Sequence, residues 1–150
     1  MGHTYSNLLI HVIFSTKDRR PIIRADFSQR LHKYLGGLAR QEFGKAIKVG
    51  GTEDHIHGLI STRTDVALAQ AMSRWKSLST GWIHKTIAGA ADFAWQGGYG
   101  AFSVSQSNAV AVIAYIEKQA EHHARQTFAE EFIELLQRHQ VEFDPNHVWD

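Results

Sequence analysis

The chain has 150 residues, 43% of them apolar, and a formal net charge of +1. That length and apolar content suit one compact domain spanning residues 1–150, with a core large enough to fold unaided. It contains no cysteine, which excludes disulfides, thiolate zinc sites and cysteine nucleophiles and leaves His, carboxylate and amide groups as the available metal ligands.

Residues 8–14 form an apolar, β-prone run too short for a helix start, and are expected to be a central strand. Asp26 with Gln29 three residues later has the form of a capping box, and Phe27, Leu31, Leu35, Leu38 and Ala39 recur at helical spacing. Residues 46–49 read as a second strand, Gly50 and Gly51 as turn residues, and residues 55–61 as a third strand closing a hairpin. Asp65 is placed to cap a long helix with an apolar stripe of Leu68, Met72, Trp75, Leu78 and Trp82, weakened late by Gly81. Residues 88–100, rich in Gly and Ala, read as a loop, and residues 101–105 alternate as a half-buried fourth strand does. A helix over about 108–123 and another opened by Thr127 with Glu130, a second capping box, complete the chain. The order βαββαβ followed by helices predicts an α+β fold. It has a four-stranded antiparallel sheet of ferredoxin-like or RNA-recognition-motif shape, with helices on one face plus C-terminal helices.

No segment reaches the roughly 18 to 20 uninterrupted apolar residues of a membrane-spanning helix, and the first seven residues lack the pattern of an export signal, so a cytoplasmic protein is expected. Charge is divided unevenly: residues 17–48 hold nine basic side chains against three acidic ones, and residues 115–144 hold three against seven. That asymmetry is read either as a surface that attracts a polyanion or as ordinary solvated helix faces.

His55 and His57 flank Ile56 on the third strand, and a side-chain period of two sends both imidazoles to one face while Ile56 and Ile60 enter the other. Such a pair can share a divalent ion, but two ligands leave most of the coordination sphere open, and a chain with ten histidines produces such pairs by chance. On the helix over 108–123 the apolar stripe is Ala109, Val112, Ile113, Ile116 and Ala120. Tyr115 lies outside it, about 100° from Ile116, on one face with Gln119 and His122. A tyrosine so placed either shields the helix edge or reaches a site.

The pair His55 and His57 around an apolar residue resembles the signature of the HUH nucleases, and Tyr115-Ile116-Glu117-Lys118-Gln119 resembles the tyrosine helix of their single-tyrosine transposases, of the insertion-sequence, IS200-like and REP-associated kind. The likeness extends over nearly the whole chain, through Thr16, Lys17, Arg19 to Pro21, the segment 95–104, Glu121 to His123, and Val141 to Asp144. The short length is similar to the insertion-sequence members more than to their repeat-associated relatives. The resemblance implies that His55 and His57 are metal ligands, that Gln119 is the third through its amide oxygen, and that Tyr115 is the nucleophile. Attack by Tyr115 then gives a 5′-phosphotyrosine and a free 3′-hydroxyl, which stores the phosphodiester for later rejoining. Ligand softness alone admits zinc, iron or nickel, whereas the family points to Mg2+ or Mn2+. It further implies single-stranded DNA with hairpin ends as partner, and a homodimer in which one subunit's tyrosine helix can complete the other's histidine site, with Ser105 to Asn108 as the hinge.

Strand binding is expected from Lys17, Arg19, Arg20 and Arg24 after the first strand and from Arg74, Lys76 and Ser77 on the long helix, with Trp95 as a candidate for base stacking and Trp75 as core. His122, one helical turn from Tyr115, is a candidate for proton transfer. The segment Gly98-Tyr99-Gly100 lacks the spacing and the following helix of a dinucleotide site, so no small-molecule cofactor is expected. Two other classes stay open: a binding module for single strands or hairpins without catalysis, and a metal-dependent nuclease whose nucleophile is water.

Overall fold

The computed structural model describes residues 2–149. Four strands, β1 (Leu9–Ser15), β2 (Gly44–Gly51), β3 (His55–Thr62) and β4 (Gly100–Val104), form one sheet in the order β2-β3-β1-β4 with every neighbouring pair antiparallel. Helix α1 (Ser28–Glu42) links β1 to β2, α2 (Leu68–Thr86) links β3 to β4, and α3 (Ala109–Glu117), α4 (Gln119–Arg125) and α5 (Phe128–Arg138) follow. The expected α+β order and sheet are therefore those the chain adopts. Among the described residues no helix is long and apolar enough to cross a membrane.

The strand alternation decides what each face buries. Val12, Phe14, Ile56 and Ile60 meet Leu31 and Leu35 of α1 and Met72 and Trp75 of α2 in the larger core. Leu9, Ile13 and Leu59 point the other way, onto Ile116 of α3 and Phe128, Phe132 and Leu135 of α5. The C-terminal helices thus close the second face, which is the face that carries His55 and His57. Burial of side chains this large, at roughly 1.5–3 kcal/mol each, supplies the stability that holds the two layers on the sheet.

Two glycines set the layer spacing. A Cβ on Gly58 would lie 2.9 Å from the Trp75 ring, so only a bare backbone there lets α2 seat its indole, whose Nε1 donates to the Leu35 carbonyl at 2.9 Å. Gly50 plays the same part on the other face, where a Cβ would come within 2.8 Å of Ile116. Ile116 adjoins Tyr115, so the close approach of α3 to β2 is what carries the tyrosine toward the histidines.

Several local expectations are corrected. Strand β2 extends beyond residues 46–49 at both ends. Helix α1 starts at Ser28 with no side-chain cap because the Asp26 carboxylate is held by Arg24, 3.0 Å from its Nε. Asp65 likewise pairs with Arg63 at 3.2 Å, leaving α2 to begin uncapped at Leu68. The single helix over 108–123 is two, parted at Lys118, whose amide reaches the carbonyls of both Ala114 and Tyr115. The last capping site does form: Thr127 Oγ1 accepts the Glu130 amide at 3.2 Å.

Helix α1 also carries an acid-sensitive histidine. Burial, reinforced by the charge of Lys48, pushes His32 down to about 4, and its Nε2 is buried without a hydrogen-bond partner. As pH falls below about 6.5 the unfolded chain takes up this proton while the folded chain resists until near pH 4, so the group withdraws stability across that window. His32→Leu is expected to gain about 1–3 kcal/mol on wild type between pH 7.5 and pH 4.5, read from urea unfolding at the two pH values. A difference that does not change with pH refutes the account.

Candidate active site

His55 opens β3 and His57 follows on the same face; both are fully buried, 0% exposed. On His55, Nδ1 faces the Asp54 carboxylate at 2.7 Å and Thr52 Oγ1 at 3.0 Å, while Nε2 lies 2.8 Å from Gln119 Oε1. On His57, Nδ1 lies 2.8 Å from His11 Nε2, and Nε2 lies 3.1 Å from Glu131 Oε1. Each ring therefore has one nitrogen engaged from behind and the other aimed into a shared space. A partner on one nitrogen selects the tautomer and leaves the other lone pair free for a ligand. Asp54 does this for His55 and His11 for His57.

The tyrosine comes from the end of α3 and the amide from the first residue of α4. The turn at Lys118 preserves the four-residue relation, so both side chains still enter the same space. The Tyr115 hydroxyl donates to Glu131 Oε2, and Gln119 Nε2 donates to the same oxygen at 3.2 Å. Glu131, on α5, is 4% exposed and sits at the meeting point of all four groups. His122 stacks its ring on Tyr115, with centroids 4.6 Å apart and planes at 29°. It thus lies against the face of the phenol, and the hydrogen-bond acceptor of the hydroxyl is Glu131.

The electrostatics follow from burial and from this carboxylate. Burial alone would raise Glu131, but the hydrogen bond and charge of His57, then the Tyr115 donation and His55, hold it down to about 2. Burial, together with donation to Glu131 and its charge, pushes the Tyr115 phenol above its ordinary range. Burial is also the main force lowering His57, with Glu131 opposing it. His11 is pushed down to about 3 by burial and then by His57, so it stays a neutral imidazole. Asp54 is lowered despite its burial, because the His55 hydrogen bond and charge outweigh it.

The donors suit a divalent cation. Ligand atoms of His55, His57 and Glu131 all lie within 4.8 Å of one another, and the Gln119 amide oxygen touches the same His55 nitrogen. Two imidazoles, an amide oxygen and a carboxylate oxygen form a donor set common to hard and borderline divalent ions. A second grouping, Asp54, His55 and His123, lies behind His55 and uses the nitrogen that fixes its tautomer.

The expected strand-binding residues separate into two groups. Lys17, Arg19 and Arg20 follow β1, whose Ser15 pairs with His55, and all are exposed. The turn that presents them holds Asp18 and Arg19 in the left-handed region, at φ 56° and 55°. The Arg19 guanidinium lies 4.4 Å over Trp149, which packs on Phe128, itself 4.8 Å from His55. Arg20 pairs with Asp92 at 3.1 Å, and exposed Arg24 reaches the Ala88 carbonyl as well as Asp26. The second group lies on α2, across the sheet from the histidines. There Arg74 pairs with Glu42 at 2.7 Å and Ser77 is exposed. Lys76 is half-buried and its ammonium ties down the loop through the Gln96 and Gly98 carbonyls; burial lowers it to about 8. Trp95 is 8% exposed, packed edge-on against Phe14 and Phe93 with its Nε1 donating to Ser79, so its place is in the core beside Trp75 rather than on the surface as a stacking platform.

Fold and site together define a class: an α+β sheet protein that gathers a histidine pair, a tyrosine and an amide on one covered face. The chain belongs to the family of IS200-like transposases, whose model matches residues 4–119. Membership implies DNA cleavage and rejoining. Two solved structures share the fold. A protein of Deinococcus radiodurans R1 described provisionally as a transposase superposes with a TM-score of 0.64 at 20% identity, over 79% of this chain and 96% of its own. The REP-associated tyrosine transposase bound to a REP hairpin gives 0.60 at 13% identity, over 82% and 73%. No curated protein matches the chain. The family match ends at Gln119, so α5 and Glu131 lie beyond it.

Proposed function

We propose that this chain is a site-specific single-stranded DNA endonuclease and strand transferase that serves transposition, with Tyr115 as nucleophile. The observation that carries the reading is the convergence, within one chain, of the Tyr115 hydroxyl, both paired imidazoles and the Gln119 amide on one covered point. A divalent ion, Mg2+ or Mn2+, held by His55, His57 and Gln119 would act as a Lewis acid on a non-bridging phosphate oxygen and orient the scissile bond. The phenol oxygen of Tyr115 loses its proton and forms a bond to phosphorus while the bond from phosphorus to the 3′ oxygen breaks, and the departing oxygen takes up a proton. A 5′-phosphotyrosine and, after protonation, a 3′-hydroxyl result, and reversal by the same or another hydroxyl rejoins strands. Exposed Lys17, Arg19, Arg20 and Arg24 flank the His55 end of the sheet and hold backbone phosphates, which positions a strand without reading its sequence. Hairpin-ended single strands are the substrate in this reading, in keeping with the hairpin bound by the REP-associated relative.

Mass spectrometry after incubation with hairpin-bearing single-stranded DNA and Mg2+ or Mn2+ tests it. A nucleotide adduct on Tyr115 supports strand transfer, cleavage without an adduct supports a water-using nuclease, and binding without cleavage supports a recognition module.

The chain works as a homodimer in this reading, and because Tyr115 faces the histidines of its own chain, each protomer carries a whole site. Mixing a Tyr115→Phe subunit with a His55→Ala subunit is then expected to leave cleavage at the level of either alone. Recovery toward about a quarter of the wild-type rate, as half the dimers are then mixed and each holds one intact site of two, means that the tyrosine helix crosses between subunits.

A further inference from the structure

We propose that Glu131 is a protein ligand of the metal, so that α5 is part of the reaction centre and the ion sits among His55, His57, Gln119 and Glu131. The inference rests on the metal-dependent reading above and extends it to a residue beyond the family match, which ends twelve positions earlier.

The first observation is the placement of the carboxylate. Helix α5 buries Phe128, Phe132, Leu135 and Leu136, and Glu131 lies inside that apolar stripe, whereas its neighbours Glu130 and Glu134 are exposed. An ionised group in such surroundings is costly unless fully partnered. Among the described residues its side-chain partners are the two imidazoles, the phenol and the amide of the candidate site.

The second observation is the spacing of the donor atoms. His57 Nε2 lies 3.1 Å and His55 Nε2 3.5 Å from Glu131 Oε1, and Gln119 Oε1 lies 2.8 Å from His55 Nε2. Donors about 2.1 Å from a common ion and at right angles to one another stand about 3 Å apart. These three separations are those of neighbouring donors in one coordination sphere, and the ligand atoms of His55, His57 and Glu131 all lie within 4.8 Å of one another. Their orientations agree as well: the rear nitrogens of both rings are held by Asp54 and His11, and the Gln119 amide turns its oxygen to His55 and its NH2 to Glu131.

The third concerns the second oxygen. Glu131 Oε1 faces the imidazoles while Oε2 accepts the Tyr115 hydroxyl. One carboxylate therefore ties the nucleophile to the ion and fixes the distance between them. A carboxylate also shifts the donor set toward oxygen, which favours Mg2+ and Mn2+ over the borderline ions that two imidazoles alone would admit.

Calorimetric titration of the full chain with Mn2+, without DNA, tests the assignment alongside thermal melts of the metal-free proteins. Glu131→Gln keeps the shape and one acceptor oxygen, and is expected to weaken Mn2+ binding at least tenfold while the metal-free fold melts as a single transition. Glu131→Asp, which withdraws a carboxylate by one methylene, is expected to weaken it too and serves if the Gln variant does not fold. His55→Ala is the control for the site itself. Unchanged Mn2+ affinity in a folded Glu131 variant, with affinity lost in His55→Ala, overturns Glu131 as a ligand and leaves the histidine site standing. Absence of Mn2+ binding by the wild-type chain overturns both.

Discussion

Tyr115→Phe is expected to abolish covalent capture of DNA and to reduce strand cleavage at least about a thousandfold, because the single missing oxygen is the one proposed to bond to phosphorus. The substitution is otherwise mild. The phenyl ring keeps its stacking on His122 and its edge contacts with His57 and His11. Glu131 loses one donor but keeps Gln119 and His57, so the stability cost is about 1–2 kcal/mol. DNA binding should be unchanged, since the exposed arginines after β1 that are proposed to hold phosphates are untouched. Denaturing electrophoresis of protein with end-labelled DNA measures capture and cleavage together, and wild-type cleavage by the Phe variant would sink the nucleophile assignment.

His57→Ala is expected to do more damage, of two separable kinds. It removes a proposed ligand, and Mn2+ affinity should fall at least about a hundredfold with cleavage at background, a larger effect than the 10–100-fold that outer partners usually produce. It also leaves the buried His11 Nε2 without its neighbour and Glu131 without its strongest compensation, which costs about 2–4 kcal/mol. Calorimetry reads the first kind and urea unfolding the second. Loss of stability with intact metal affinity would mean that His57 is a structural histidine and that the ion, if bound, sits elsewhere.

Much of this site is legible in the chain itself. A period of two on β3 places His55 and His57 on one face whatever surrounds them, and a four-residue interval brings Tyr115 and Gln119 together even across the break at Lys118. The resemblance supplies their roles. Glu131 is masked by the Thr127–Glu130 cap and the many charges of its helix, although a carboxylate inside the stripe of Phe128, Phe132 and Leu135 is a visible signal of a buried acid. His11 carried a similar signal, sharing strand parity with Leu9 and Ile13, and Asp54 adjoined His55 in plain view. Nothing in a linear pattern says that β1 lies beside β3 with His11 diagonal to His57.

The fate of the tryptophans and lysines shows the same division. Trp75 belonged to a helical stripe and is core, but Trp95 lies in a Gly- and Ala-rich stretch that says nothing about burial, and only the packing of Phe14 and Phe93 around it decides the matter. Lys76 resembled a surface cation and is instead a half-buried anchor of the loop before β4.

Local pattern, then, determined the element order, the two-sided alternation of the strands and the shared faces of His55 with His57 and Tyr115 with Gln119, because these depend only on the repeat of the backbone. Tertiary structure alone decided that α5 folds over the histidine face and delivers a carboxylate to it. That contact joins residues 74 positions apart, and its strength comes from excluding water around a charge, which no interval in the chain encodes.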